Sequence, residues 1–349
     1  MAKASIALNH TIPPGHIRVG PLHAVPEVIR SLGGKLDRIL RPLKLTEEFL
    51  SQPESAIPIT VVGKLLYRAV QETGCEHFGL LVGSHSGINE LGLPGKLISL
   101  CPTVAHALAT LQKYLYLHDR GAIPLLHTQG KTTRLGYAVL DGNFPGIQEL
   151  QDGAIAVALN IMRDLIDPHW CPAEVYLMRH APQNPQAFAD FFGAPCFFDA
   201  GRSELSFATD TLTLAVRGAQ PSATLPAFVK EMCVAELAGR DWIEHVRRTT
   251  LGLLLTGNCT RQAVAESMGV SERTLNRNLE KAGASFLEIA DHSRYAASRM
   301  LIKETDMPLG SIALLLGYSD PTSLSRAFKR WLGITPMAWR KTKIASSPP

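Results

Sequence analysis

Ala265-Glu266-Ser267-Met268-Gly269-Val270-Ser271 and, further on, Ala313-Leu314-Leu315-Leu316-Gly317-Tyr318-Ser319 follow one pattern. The first is followed by Leu275, Arg277 and Leu279, the second by Leu324, Arg326 and Phe328. The copies differ by one residue between serine and leucine, and their arginines lie 49 residues apart. In each copy a small alanine lets two helices cross closely. The glycine four residues later can take φ > 0, so the chain turns sharply without steric penalty. The next apolar residue plugs the corner, and Ser271 or Ser319 can satisfy free amides where the following helix begins. Each copy therefore predicts a helix–turn–helix unit, with second helices over about 271–281 and 321–331.

The leucine and aromatic positions four apart face inward. That turns Arg273, Asn276 and Arg277 outward in the first unit, and Thr322, Ser325 and Arg326 in the second, with Ser323 added by its matching position within the motif. Arginine reads guanine O6 and N7 with two bonds and asparagine reads adenine similarly, so these seven are the candidate base contacts to double-stranded DNA. Ser271, Ser319, Lys329 and Arg330 are the candidate phosphate contacts, which position a protein without specifying sequence. One alanine–glycine crossing is weak evidence; two, each with an outward arginine, point to DNA. Charge agrees: residues 241–349 hold 15 Lys and Arg against 10 Asp and Glu, whereas the first 240 hold 20 against 21. A basic surface attracts phosphate through counterion release.

Residues 241–341 resemble the DNA-binding domain of the AraC/XylS family of bacterial transcription regulators. The second unit carries most of the likeness: Ile312-Ala313, Leu316-Gly317-Tyr318-Ser319-Asp320, Ser325-Arg326-Ala327-Phe328-Lys329-Arg330, Gly333-Ile334-Thr335-Pro336 and Arg340. Tyr318 stands where the family usually has phenylalanine, and Leu324 where it has an aromatic residue. The resemblance implies two units joined by a rigid helix, here about Phe286 to Ile302, whose second helices enter successive major grooves. The front of the chain, Pro58 to about Val216, is similar to the effector-type N-terminal domain of one branch of that family. The matching stretches include His77 to Gly83, Pro102 to Leu108, Val175 to Pro182 and Phe191 to Phe198. These are packing and turn residues, so they indicate a scaffold and not a ligand.

At 349 residues, 46% hydrophobic and 19% charged, the chain can build two cores and is not a disordered polymer. No run approaches the ~18 apolar residues of a membrane helix, and Met1 to Gly15 lacks the apolar core of a secretory signal, so a cytoplasmic protein is expected. Six cysteines, at 75, 101, 171, 196, 233 and 259, form no C-x-x-C pair and suit free thiols. Catalytic motifs are missing: there is no H-E-x-x-H and no phosphate-binding glycine loop. Gly83-Ser84-His85-Ser86-Gly87 has histidine where a nucleophile elbow needs serine. The twelve histidines are unclustered and read as surface or satisfied core groups. No catalytic residue, cofactor or metal is therefore expected.

The resulting expectation is an α+β effector and dimerisation domain over 21–238, after a loose start over 1–20. An all-α domain of two helix–turn–helix units spans 239–342, and a frayed tail 343–349. Helices are predicted at Val25–Arg30, Ile59–Thr73, Thr103–His118, Ile147–Ile166 and Phe228–Leu237, with a turn at Gly218–Ser222. Strands are predicted at Arg134–Leu140, Glu174–Met178 and Glu204–Ala208. Tyr137, Val139, Tyr176, Met178 and Phe207 on those strands are the candidate walls of an apolar effector pocket, though alternating residues suit a plain core equally well. A small-molecule effector, RNA polymerase and a second copy of the chain are the further partners this scheme implies. The competing schemes make the front domain a ligand-free interaction module or an enzyme-like unit. Activation or repression depends on where the site lies relative to polymerase.

Overall fold

The computed structural model describes residues 12–140, 144–218, 242–257, 259–304 and 307–342. The expected helix at Phe228–Leu237, the boundary at 238–239 and the tail 343–349 lie outside the described residues, as do 1–11 and, within the expected turn, 219–222. The front part opens with β1 (His16–Arg18), α1 (Val25–Ser31), α2 (Leu36–Leu40), α3 (Glu47–Leu50), β2 (Ala56–Pro58) and α4 (Ile59–Thr73). There follow α5 (Phe78–Ser84), α6 (Leu93–Ser99), α7 (Val104–Tyr114), β3 (Ala122–Gln129), β4 (Thr132–Val139) and α8 (Ile147–Leu165). β5 (Glu174–Tyr176), α9 (Gln186–Phe192), β6 (Cys196–Phe197) and β7 (Ser203–Ala208) complete it.

Five strands form one sheet in the order β3-β4-β7-β5-β6, antiparallel except where β5 meets β6; β1 and β2 pair separately. α8 is the central helix. Its buried Leu150, Val157 and Ile161 recur at helical spacing and pack on both neighbouring helices and the sheet. α5 crosses it so closely that a Cβ on Gly79 would stand 1.9 Å from the Glu149 carbonyl oxygen. Any larger residue there would separate the two helices.

Three departures from the sequence expectations have local causes. The helix expected to reach His118 stops at Tyr114 and tightens into a 3₁₀ turn, Leu115–Leu117. That turn buries both Leu115 and Leu117, which two residues apart in an α-helix would face different directions. β5 ends at Tyr176, two residues early, although Leu177 still donates its N–H to the Phe197 carbonyl. β3 was not anticipated because Pro124 interrupts its pattern. It is an edge strand, where a residue without N–H is tolerated.

The C-terminal part is helical throughout its described residues: α10 (Trp242–Leu255), α11 (Arg261–Ser267), α12 (Glu272–Lys281), α13 (Phe286–Glu304), α14 (Leu309–Leu315), α15 (Pro321–Leu332) and α16 (Pro336–Thr342). The two parts share a core. Ile123, Leu125 and Ala138 from β3 and β4 pack with Leu251 and Leu255 of α10 and, through them, with Leu301 and Ile302 of α13. Polar contacts reinforce the seam. Arg248 donates to the carbonyls of Asp119 (3.0 Å) and Ala122 (2.5 Å), and Arg202 donates to that of Leu255. An α+β front followed by an all-helical C-terminal part agrees with the expected fold class.

Candidate nucleic-acid interface

In the first unit Ala265 is buried where α11 meets α12, and Gly269 takes φ +68°. Val270 donates its N–H back to the Ala265 carbonyl at 3.0 Å, closing the turn. Ser271 caps α12, its hydroxyl accepting from the Thr274 N–H at 3.2 Å. Leu275 and Leu279 are fully buried. Arg273 and Arg277 are exposed on the opposite side, with Asn276 partly buried beside them.

The second unit repeats this chemistry. Ala313 is buried, Gly317 takes φ +77°, and Tyr318 donates to the Ala313 carbonyl at 2.9 Å. The cap, however, is not the expected Ser319 but the next residue. Asp320 accepts from the Ser323 N–H (2.9 Å) and from the hydroxyls of Ser323 and Ser319. Those bonds, led by the Ser323 hydroxyl, hold the Asp320 carboxyl well below the usual carboxylate range. Asp followed by Pro is a strong helix-start signal that was present in the sequence. Aspartate also prefers the positive end of the helix. Counted from the caps, the one-residue difference between the copies disappears: Leu275 and Leu324 are four residues on, Arg277 and Arg326 six.

The polar residues of α15 are not equally available. Thr322 and Arg326 are exposed. The Ser323 hydroxyl is spent on Asp320, and the Ser325 hydroxyl donates to the Pro321 carbonyl at 2.9 Å. Arg330 is drawn to the joining helix: its Nη2 lies 2.7 and 2.9 Å from the carboxylate oxygens of Asp291, which also accepts from the Trp331 indole at 3.0 Å. Among the described residues Arg273, Arg277, Arg326 and Lys329 form no ion pair.

α13 joins the units and is itself clamped. Arg294 donates to the Leu316 carbonyl at the end of α14, and Arg340 to the carbonyls of Ile302 and Met307. Its 19 residues span about 28 Å, close to the ~34 Å between successive major grooves.

The five strand residues expected to wall an effector pocket do not converge. Tyr137 borders an apolar cavity of about 110 Å³ between the sheet and helices α4, α5, α7 and α8. Val139 is buried in the cluster around α4, and Phe207 packs edge-on against Trp170. Tyr176 stacks on Phe197, and the Met178 sulfur accepts from Gln151. These four do not border that cavity.

The family described as the arabinose-binding domain of AraC transcription regulators matches residues 33–216, more than half the chain, and a helix-turn-helix domain family matches residues 264–342. The chain belongs to the AraC family of transcription regulators. It is 26% identical over 334 residues to the HTH-type transcriptional regulator VirS of Mycobacterium tuberculosis, covering 93% of this chain and 96% of that one. It is 22% identical over 329 residues to the ornithine utilization regulator of Pseudomonas aeruginosa, with the same coverage of each. The crystal structure of the transcriptional regulator CdpR from Pseudomonas aeruginosa aligns with a TM-score of 0.43, at 22% identity over 89% of this chain and 97% of that one.

This AraC-family chain is thus a DNA-binding transcription regulator, as the paired units led us to expect. No helix among its described residues is long and apolar enough to cross a membrane. Three of its residues escaped the sequence reading. Arg248 holds the two parts together and Asp291 holds α15 to α13; both are pairings between distant segments that no local pattern announces. His118, read with the other histidines as a surface or satisfied group, is buried and neither ring nitrogen has a partner.

Proposed function

We propose that α12 and α15 read two major-groove segments about one helical turn apart on one face of a promoter site, under control of a small molecule bound by the front domain. In this reading residues 239–342 bind DNA and 21–238 bind the effector. Arg273, Asn276 and Arg277 contact bases from α12. Arg326 and Thr322 do so from α15, with Ser323 and Ser325 supporting them through their hydroxyl oxygens. Ser271, Ser319 and Lys329 contact phosphate, and Arg330 joins them by exchanging Asp291 for the backbone.

The observation that carries the proposal is the common register of the two helices. Arg277 and Arg326 are exposed, free of ion pairs among the described residues, and six residues beyond their caps. Two fork-shaped donors presented alike on rigidly joined helices suit guanine recognition in two grooves. The chain would act in the cytoplasm as a binding protein without a catalytic step, with RNA polymerase as the machinery it influences and self-association as a route to paired sites.

Sequencing genomic fragments captured by the purified full chain tests this. Enrichment of one two-part motif, lost in the Arg277→Ala, Arg326→Ala double variant, is the expected result. Sequence-independent capture across a salt series would refute the base-reading roles.

A further inference from the structure

The cavity behind the sheet is lined almost wholly by aliphatic side chains, among them Leu111, Leu115, Leu135, Val157 and Ile161. Its polar lining is His118, Asp119 and Tyr137. Two of these satisfy each other: the Tyr137 hydroxyl donates to the Asp119 carboxylate at 2.5 Å, and that carboxylate also accepts the N–H groups of Gly121 and Ala122. His118 is left over. It is 2% exposed, and neither Nδ1 nor Nε2 has a hydrogen-bond partner. An unpaired imidazole in an apolar space is costly unless something else completes its bonding.

We propose that His118 is the polar anchor of an effector site for a small uncharged molecule with an apolar body and one hydroxyl or carbonyl head. Burial keeps the imidazole neutral, with one N–H to donate and one nitrogen to accept. A charged ligand finds no free counter-charge: no lysine or arginine lines the space, the nearby Arg18 guanidinium is bonded to the carbonyls of Leu117 and Glu54 and paired with the Glu54 carboxylate, and Asp119 is already committed. Size restricts the ligand further. About 110 Å³ is somewhat less than the ~150 Å³ that admits benzene, so the body holds about five heavy atoms.

The site is placed to be read by the DNA-binding part. Asp119, next in sequence to His118, offers its backbone carbonyl to Arg248 of α10. A ligand that moves His118 therefore acts one peptide away from the seam. The effect on DNA rests on the regulator reading above, whereas occupancy of the cavity does not.

The test uses the full chain and 1-butanol as the probe, titrated by ligand-observed NMR. Butyrate and 1-chlorobutane are the charged and non-hydrogen-bonding controls. Butanol is expected to bind, with about tenfold weaker binding to His118→Leu and none to Ala154→Leu, whose added side chain fills the cavity. His118→Leu is also expected to raise the unfolding temperature without ligand, because it removes an unpaired polar group; a histidine with a merely structural role would lower it. Absence of butanol binding, equal binding by His118→Leu, or tighter binding of butyrate would overturn the site. Butanol is further expected to change affinity for the captured promoter fragment in wild type and not in His118→Leu. Binding without that change would overturn the effector role. A chain that binds butanol but captures no DNA fragment specifically, with or without butanol, would instead sink the regulator reading and leave the site standing.

Discussion

Arg277 and Arg326 occupy equivalent positions, each six residues beyond the side chain that caps its helix, Ser271 in one and Asp320 in the other. Equivalent placement predicts equivalent consequences. Replacing either by alanine is expected to cost about 1–3 kcal/mol of specific affinity and to relax base preference at one half of the site only. Selection from randomised DNA with each variant checks this; uniform weakening on all sequences would contradict it.

Lys329 and Arg330 are neighbours with different partners, and salt separates them. Lys329→Ala is expected to reduce the slope of log affinity against log salt by about 1, the loss of one phosphate contact. Arg330→Ala is expected to reduce it by less, because the guanidinium must leave Asp291 before reaching phosphate. Binding isotherms at four or five salt concentrations distinguish the two.

Asp320 predicts a pH effect confined to acid. Its carboxyl is held below its ordinary value in the fold, so the charged cap stabilises the protein fully above the unfolded value of ~3.9. That contribution disappears as pH falls through the folded value. Asp320→Asn is accordingly expected to melt below wild type at neutral pH, with the gap narrowing on acidification. A gap constant across pH would mean that the charge contributes nothing.

Arg248 predicts how firmly the two parts are joined. Its Nη2 serves two backbone carbonyls, and Arg248→Leu leaves both without that donor at a cost of roughly 2–3 kcal/mol. Denaturant unfolding followed by tryptophan fluorescence is expected to shift to lower midpoint and to split into two transitions. One unaltered transition would show that the shared apolar cluster suffices.

His118 predicts acid sensitivity of the front part. Burial, aided by the Arg18 charge, lowers its pKa to about 3, so between the unfolded value of ~6.5 and that point the unfolded chain binds a proton the fold refuses. Stability is present above about pH 6.5 and falls as pH drops, by an amount on the order of several kcal/mol. Comparing wild type with His118→Leu from pH 7 to 4 isolates the effect, since the variant lacks this acid limb.

The two units were legible because they depend on neighbours in sequence: a glycine that must take positive φ, an apolar pair four apart, a cap. α4, predicted at Ile59–Thr73, was found at those limits for the same reason, its buried face repeating at helical spacing up to Gly74 at φ +69°. What stayed hidden depends on distant partners. Pro124 disguised β3 because edge and central strands differ only in what lies beside them. His118 was indistinguishable from eleven other histidines until the 3₁₀ turn Leu115–Leu117 set it against the apolar cavity. Tyr137 and Tyr176 looked alike as strand residues, yet one borders a cavity and the other stacks on Phe197.

β3 and β4 have a cavity on one side and the DNA-binding part on the other, so alternate residues of one ribbon answer to different selective demands. Changes at Leu135 or Tyr137 can alter what the cavity admits without touching the seam, while changes at Ile123, Leu125 or Ala138 alter how the two parts pack together. On the proposed effector reading, ligand choice and responsiveness can therefore diverge independently among descendants of this scaffold. A single residue inserted in one strand would turn that strand's residues beyond it to the opposite side, so on the proposed effector reading point substitution is the accessible route to a new ligand.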